Sequence, residues 1–216
     1  MKKIKYILRM IIQYIFGKNI DNCCYEKADI ISFDVFDTLV FRDVFFPETV
    51  FQFIDTDKNF SSKRKIAEKK ARKSRRGEVT LNDIYNYLPE FDMNREIEAE
   101  FTHVYANVEM LDFYNKMKAK NKELIIISDM YLGENVIKSM LESSGYDLTD
   151  VELYISSKYG ETKKNGDLFE RVIKEKNIQK EKIIHLGDNW LVDYYIPKMK
   201  GLQAFLYKPR KIFLDK

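Results

Sequence analysis

The sequence predicts an α/β fold: a parallel sheet with a helical insertion after its first strand. Three observations carry that expectation. Short apolar runs alternate with helical patterns along most of the chain. Each run ends in polar or Gly-containing residues, as strands do where they deliver a loop to the edge of a sheet. The interval between the first two runs is too long for one crossover and reads as nearly all helix. At 216 residues, with 45% hydrophobic and 14% aromatic residues, the chain can bury the core of one domain carrying a substantial insertion.

Residues 1–20 read as an amphipathic helix. Ile4, Ile7, Leu8, Ile11 and Ile15 share one face, while Lys5, Arg9 and Gln13 stack on the other at i,i+4 spacing. Arg9 and Gln13 interrupt the apolar stretch, which is too short to span a bilayer and is followed by no small-residue cleavage site. The expectation is a helix packed on its own domain. The alternative is a helix lying on an anionic membrane surface or docked on a partner.

The core opens at residues 28–41 with a strand over 30–36. It resumes at residues 121–216 with strands over 124–128, 153–157, 183–186 and 202–207. Helical patterns over 134–143 and 168–176 connect them, which implies right-handed parallel units. Residues 42–120 form the insertion, expected above the C-terminal edge of the sheet and covering the site. Pro47 opens a helical start, Thr80 is an N-cap for a helix over 81–88 stopped by Pro89, and a long helix runs from 94 to about 120. Its stripe is Ile97, Phe101, Val104, Val108 and Leu111. A basic run of Lys63, Arg64, Lys65, Lys69, Lys70, Arg72, Lys73, Arg75 and Arg76, offset by Glu68, reads as a solvated helix face.

Composition narrows the function. Lys+Arg number 37 against 34 Asp+Glu; a net charge of +3 is too small to argue for nucleic acid by itself, and no aromatics interleave with the basic run as a single-strand binder would want, so no nucleic-acid partner is expected. Cys23 and Cys24 are adjacent, so they make poor cross-links and lack zinc-site spacing. They point to a reducing, cytoplasmic setting with inert thiols.

The chemistry is concentrated at strand ends. Asp34, within Ser32-Phe33-Asp34-Val35-Phe36-Asp37-Thr38-Leu39-Val40, ends a buried strand, where a carboxylate is costly unless a cation or dense hydrogen bonding compensates. It is the candidate nucleophile. Asp188 ends another strand and Asp193 follows five residues later. With Asp34 and a main-chain carbonyl at Phe36, they offer the oxygen donors that Mg²⁺ prefers. Ser128, with the backbone at Asp129, offers donors to a phosphate oxygen, and Lys163, preferred over Lys164 for its spacing to Gly166, offers a point charge. Arg42 is placed to reach a substrate anion or to form an ordinary ion pair. Tyr131 and Trp190 either line a pocket or pack, His185 reads as a satisfied core residue, and His103 lies on the long helix.

These segments together resemble the haloacid-dehalogenase-like (HAD) hydrolase superfamily over about residues 29–207. The resemblance rests on Asp34 and Thr38 for the first motif, Ser128 for the second, Lys163 for the third, and Asp188 with Asp193 for the fourth. It implies a Rossmann-like sheet with a helical cap and a Mg²⁺-dependent phosphohydrolase working through an aspartyl-phosphate on Asp34. The implied substrate is a small phosphorylated metabolite, with Thr38, Ser128, Asp129 and Lys163 on its phosphate. The wordings Phe-Asp-Val-Phe-Asp-Thr-Leu, Ser-Asp-Met-Tyr-Leu and His-Leu-Gly-Asp-Asn resemble a bacterial subgroup associated with surface-polysaccharide and glycosyltransferase loci. One position departs from the pattern: the family's phosphatases carry an acid two residues after the nucleophile, where this chain has Phe36, and Asp37 stands where Gly is usual. Asp37 is thereby a candidate replacement acid. Two alternatives remain, a metal-independent 2-haloacid dehalogenase-like hydrolase and a non-catalytic module partnering a glycosyltransferase or membrane through residues 1–20.

Overall fold

The computed structural model describes residues 2–75 and 77–209. The first half of the chain forms α1 (Lys2–Phe16), β1 (Ile30–Phe33), β2 (Val40–Arg42), α2 (Phe60–Ser74), α3 (Leu81–Tyr85), α4 (Met93–Thr102), β3 (Val104–Ala106) and α5 (Val108–Ala119). The second half forms β4 (Glu123–Ser128), α6 (Glu134–Ser143), β5 (Glu152–Ile155), α7 (Ser156–Tyr159), α8 (Asp167–Lys176), β6 (Ile183–Gly187), α9 (Ile196–Met199) and β7 (Gln203–Leu206). Among the described residues, five strands build one sheet in the order β5-β4-β1-β6-β7, every neighbouring pair parallel. All four residues of β1 are buried because both faces are covered, which is why such strands read as continuous apolar runs. Ile31 and Phe33 join one core with α5 and α6, where Phe33 meets the rings of Phe113 and Tyr114. Ile30 joins a second core with Ile125, Ile127, Leu168, Phe169 and Val172, so alternate residues of one strand serve opposite layers.

β1 and β5 end sooner than their apolar runs suggest. β1 stops at Phe33 because Val35 O accepts from the backbone N–H of Leu39 and Val40, turning the chain at Asp34. Ser156 and Ser157 open α7 instead of ending β5.

The long helix expected over 94–120 is two helices separated by a strand. β3 pairs antiparallel with β2, Tyr105 opposite Phe41, and Asn107 then restarts the helix with its side-chain oxygen accepting from Met110 N at 3.4 Å. The apolar stripe continued through the break by coincidence of spacing: Val108 is largely exposed. The Thr80 cap holds as a capping box with Asp83.

The basic run is not simply a solvated face. Phe60, Arg64, Ala67 and Ala71 form the buried side of α2, and Arg64 is fully enclosed. Its guanidinium donates to both oxygens of Glu96 on α4, at 2.6 and 2.7 Å, and Tyr85 O–H donates to the same carboxylate at 2.9 Å. Arg76, the last cation of the run, and residues 210–216 of the expected core lie outside the described residues.

Removing one partner of a buried pair leaves the other charge stranded, at a cost of about 3–5 kcal/mol. Arg64→Ala should therefore lower the urea midpoint strongly, whereas Arg64→Met combined with Glu96→Leu should recover most of the loss. A double variant as unstable as the single one would refute this account of the α2–α4 contact.

Candidate active site

A parallel sheet whose strand order reverses around β1 opens a crevice at the strands' C-terminal ends. Asp34 follows β1 into that crevice, its backbone N–H bonded to Leu186 O of β6 at 2.9 Å. β4 ends on Ser128, whose Oγ donates to Asp34 Oδ1 at 3.4 Å. Lys163 is buried in the loop before α8, and its Nζ donates to Asp34 Oδ1 at 2.5 Å and to Asp193 Oδ1 at 2.6 Å. Lys164 is exposed, so Lys163 is the lysine brought to the carboxylates.

The surrounding residues explain why these side chains converge. Asp129 accepts from the backbone N–H of Lys163 at 2.6 Å and of Lys164 at 3.2 Å, which fixes the Lys163 loop against β4. A π-helical turn, Trp190–Tyr195, carries Asp193 back beneath β6. That approach requires Gly187, because a Cβ there would lie 2.5 Å from Asp193 Cβ and 2.6 Å from its Oδ2. Asp193 Oδ2 accepts from Asn189 N at 2.9 Å, and His185 Nε2 lies 3.3 Å from Asp193 Oδ1. The other His185 nitrogen shares a 2.8 Å bond with Ser32 Oγ, so this histidine is a satisfied core residue that braces Asp193.

The carboxylate oxygens of Asp34, Asp188 and Asp193 lie within 4.8 Å of one another, and all three residues are buried. Asp188 Oδ1 is buried without a hydrogen-bond partner among the described residues. A buried carboxylate oxygen left unpaired among two further carboxylates suits a hard cation, and the donor set is all oxygen.

The sequence reading missed Arg9. Its Nε donates to Asp188 Oδ2 at 2.9 Å, and a terminal nitrogen donates to Asp37 Oδ2 at 2.9 Å while also pairing with Asp188. The i,i+4 polar stripe on α1 was the available signal, but nothing in it says which strand edge it meets. Asp37 adopts a left-handed φ of 62°, a conformation Asp tolerates better than most residues. Thr38 is fully buried and is not brought to the pocket: its carbonyl accepts from Asn107 Nδ2 at 2.7 Å. The Phe36 ring lies 3.8 Å from the Arg42 guanidinium, which is itself paired with Glu100 of α4 at 3.1 Å. Arg42 thus forms a buried ion pair, not a surface one.

A pocket of about 390 Å³ lies over these groups. The core contributes Asp34, Ser128, Lys163 and Asp188, the insertion contributes Pro47, Phe51, Glu68 and Glu100, and α1 contributes Arg9. Tyr131 lines it and donates to Glu100 at 3.3 Å, whereas Trp190 stacks on Tyr195. His103 lies away from the pocket, bonded to Asp43 at 2.8 Å. Burial pushes Asp34 up to about 6 in spite of Lys163 beside it. Burial also lifts Asp188 well above the usual carboxylate range, and Arg9 only partly opposes it. Burial works the same way on Asp193, but the pull of Lys163 and His185 outweighs it and holds that carboxyl below the ordinary range.

Solved structures share this arrangement of elements. A HAD-family enzyme of Bacteroides thetaiotaomicron superposes with a TM-score of 0.62 at 13% identity, covering 85% of this chain and 95% of that one. The fold is that of the HAD enzymes. The same Bacteroides enzyme, in complex with magnesium and inorganic phosphate, matches with a TM-score of 0.58 at 11% identity over 87% of this chain and 98% of that one. A predicted HAD-like family hydrolase of Porphyromonas gingivalis matches at 0.62 and 13% identity over 87% and 95% of the two chains. A dehalogenase matches with a TM-score of 0.58 at 11% identity, over 82% of this chain and 83% of that one. No protein-family model matches the sequence, and no curated protein matches it either.

The elevated Asp34 value has a consequence for stability. Between its ordinary 3.8 and about 6, the folded protein holds a proton that the unfolded chain releases. Stability from this group is thus complete below about pH 4 and lost as pH rises through about 6, a change of about 3 kcal/mol. The difference in unfolding free energy between wild type and Asp34→Asn, measured without added metal, should shift by that amount across the window. A pH-independent difference would disprove the shift.

Proposed function

We propose that the protein is a Mg²⁺-dependent phosphohydrolase that transfers phosphoryl groups through Asp34. The observation that carries this reading is the buried set of Asp34, Asp188 and Asp193 oxygens within 4.8 Å, with Asp188 Oδ1 unpaired and Lys163 between the other two. Asp34, Asp188 and the Phe36 carbonyl would hold the cation, with Asp193 in support; that the Bacteroides neighbour forms a complex with magnesium and inorganic phosphate supports magnesium as the metal. A bound Mg²⁺ would neutralise charge as a carboxylate approaches a dianionic phosphoryl group.

The chain's own residues do the remainder. Ser128 and Lys163 both engage Asp34 Oδ1, which leaves Oδ2 to attack phosphorus. The new O–P bond forms as the leaving-group oxygen departs with its electron pair, and water then cleaves the acyl phosphate to return Asp34 and release phosphate. Ser128 and Lys163 turn to the equatorial phosphoryl oxygens. The elements between β2 and β3 serve as the cap, since Phe51, Glu68 and Glu100 face the substrate space.

Phe36 sets the substrate class. Its ring faces Arg42 where the acid would stand, and Asp37 is engaged by Arg9. A general acid is worth about 10²–10⁴-fold, so the enzyme favours leaving groups that depart without protonation, such as acyl and aryl phosphates. The aromatic residue is also what favours the second reading, haloacid dehalogenation, which needs Asp34 as nucleophile and has no use for a cation at Asp188 and Asp193.

Acetyl phosphate and p-nitrophenyl phosphate should be turned over with Mg²⁺ and not with EDTA, and Asp34→Asn should lose roughly 10³-fold or more. Alkyl phosphates should be slower by at least about 10². Metal-independent halide release from 2-haloacids would replace this reading with the second. A folded, Mg²⁺-binding protein silent on every substrate would leave the non-catalytic module.

A further inference from the structure

α1 is seated on the domain by its polar side. Gln13 Nε2 donates to Tyr207 O at 2.9 Å, Arg9 reaches Asp188 and Asp37, and Tyr6 meets the rings of Phe45 and Phe46 at 6.3 and 5.8 Å. The chain leaving the helix is pinned too, with Lys18 N bonded to Leu206 O at 2.9 Å. Usual amphipathic packing turns the apolar stripe inward. Here that stripe faces out: Ile4 is 71% exposed, Ile15 63%, Leu8 54% and Ile11 49%, with Ile7 beside them. A continuous aliphatic face on one helix is more than the scattered exposure ordinary on soluble surfaces.

We propose that this outward face of α1 docks on an anionic lipid bilayer, lying in the plane of its surface. Charge chooses the occupant. Lys3 and Lys5 are exposed and lie on opposite borders of the aliphatic stripe, where amphipathic side chains extend to headgroups. α1 contains no acidic residue, so anionic headgroups meet no repulsion from the helix itself. A second copy of the chain would bring no acidic residue on its own α1 to meet Lys3 and Lys5. No helix among the described residues is long and apolar enough to cross the membrane, so the contact is superficial. Arg9, Gln13 and Tyr6 hold the helix from its other side, so docking leaves those contacts in place, and Lys3, whose Nζ lies 4.8 Å from the centroid of the Phe46 ring, exchanges that contact for headgroups. The inward face carries Arg9, so the bilayer would bring the Asp188 cluster to within about one helix diameter, ~10 Å, of the headgroup plane. The docking stands whether or not the site hydrolyses phosphate.

The test is cosedimentation of the full chain with vesicles of phosphatidylglycerol and phosphatidylcholine, and with vesicles of phosphatidylcholine alone. Wild type should partition onto the anionic vesicles, about tenfold more than onto the neutral ones. Ile4→Asp with Ile11→Asp, at exposed positions, should keep the melting temperature and lose at least about tenfold in binding. Lys3→Gln with Lys5→Gln should fall to the neutral-vesicle level. Failure of wild type to bind anionic vesicles overturns the proposal, as does binding that the aspartates leave unchanged. A dimer that Ile4→Asp with Ile11→Asp dissociates, with no vesicle binding, assigns the face to a second copy instead.

Discussion

Lys163 is the constraint on which the rest of the site depends. A lysine ammonium with almost no exposure is tolerable only where carboxylates surround it, and buried carboxylates are tolerable only with such a cation. Asp34 from the end of β1 and Asp193 from the turn after β6 close on it from two sides. Much of the local architecture serves that closure. Asp129 ties down the loop that carries Lys163, Gly187 makes room for Asp193, and His185 with Ser32 fills the space behind. The central position of β1 follows as well, since only a strand flanked by both β4 and β6 brings Ser128, Asp34 and Asp188 to one crevice.

What the sequence made legible is what local pattern and strand order determine. Strands buried on both faces announce themselves as runs such as Ile125-Ile126-Ile127, and a residue at the end of each run is carried to the same edge of the sheet. That is why Asp34, Ser128 and Asp188 group together in the sequence alone. The rest depended on non-local pairing. β3 is three residues long, is preceded and followed by helix, and exists because β2 lies opposite. Arg64 looked like one cation among many until Glu96 and Tyr85, distant in sequence, enclosed it. α1 inverted the usual rule because its polar side found better partners on the domain than its aliphatic side could, and Arg9 entered the site with it.

The charges at the inner end of the pocket bear on the proposed cation. Asp34, Asp37, Asp188 and Asp193 face Lys163 and Arg9, while Asp129 is turned to backbone N–H groups and Arg42 is matched by Glu100. Four carboxylates sharing two cations leave a net excess of two negative charges, in a place where burial makes it costly. Protons are the available compensation when no metal is bound, and burial accordingly raises both Asp34 and Asp188. A divalent cation cancels the same excess while leaving Asp34 ionised, the form a nucleophile needs. A phosphate dianion would then enter a cluster that is close to neutral instead of one that repels it. The raised carboxyls and the orphaned Asp188 oxygen therefore follow from one electrostatic deficit, and the deficit has the size of one Mg²⁺.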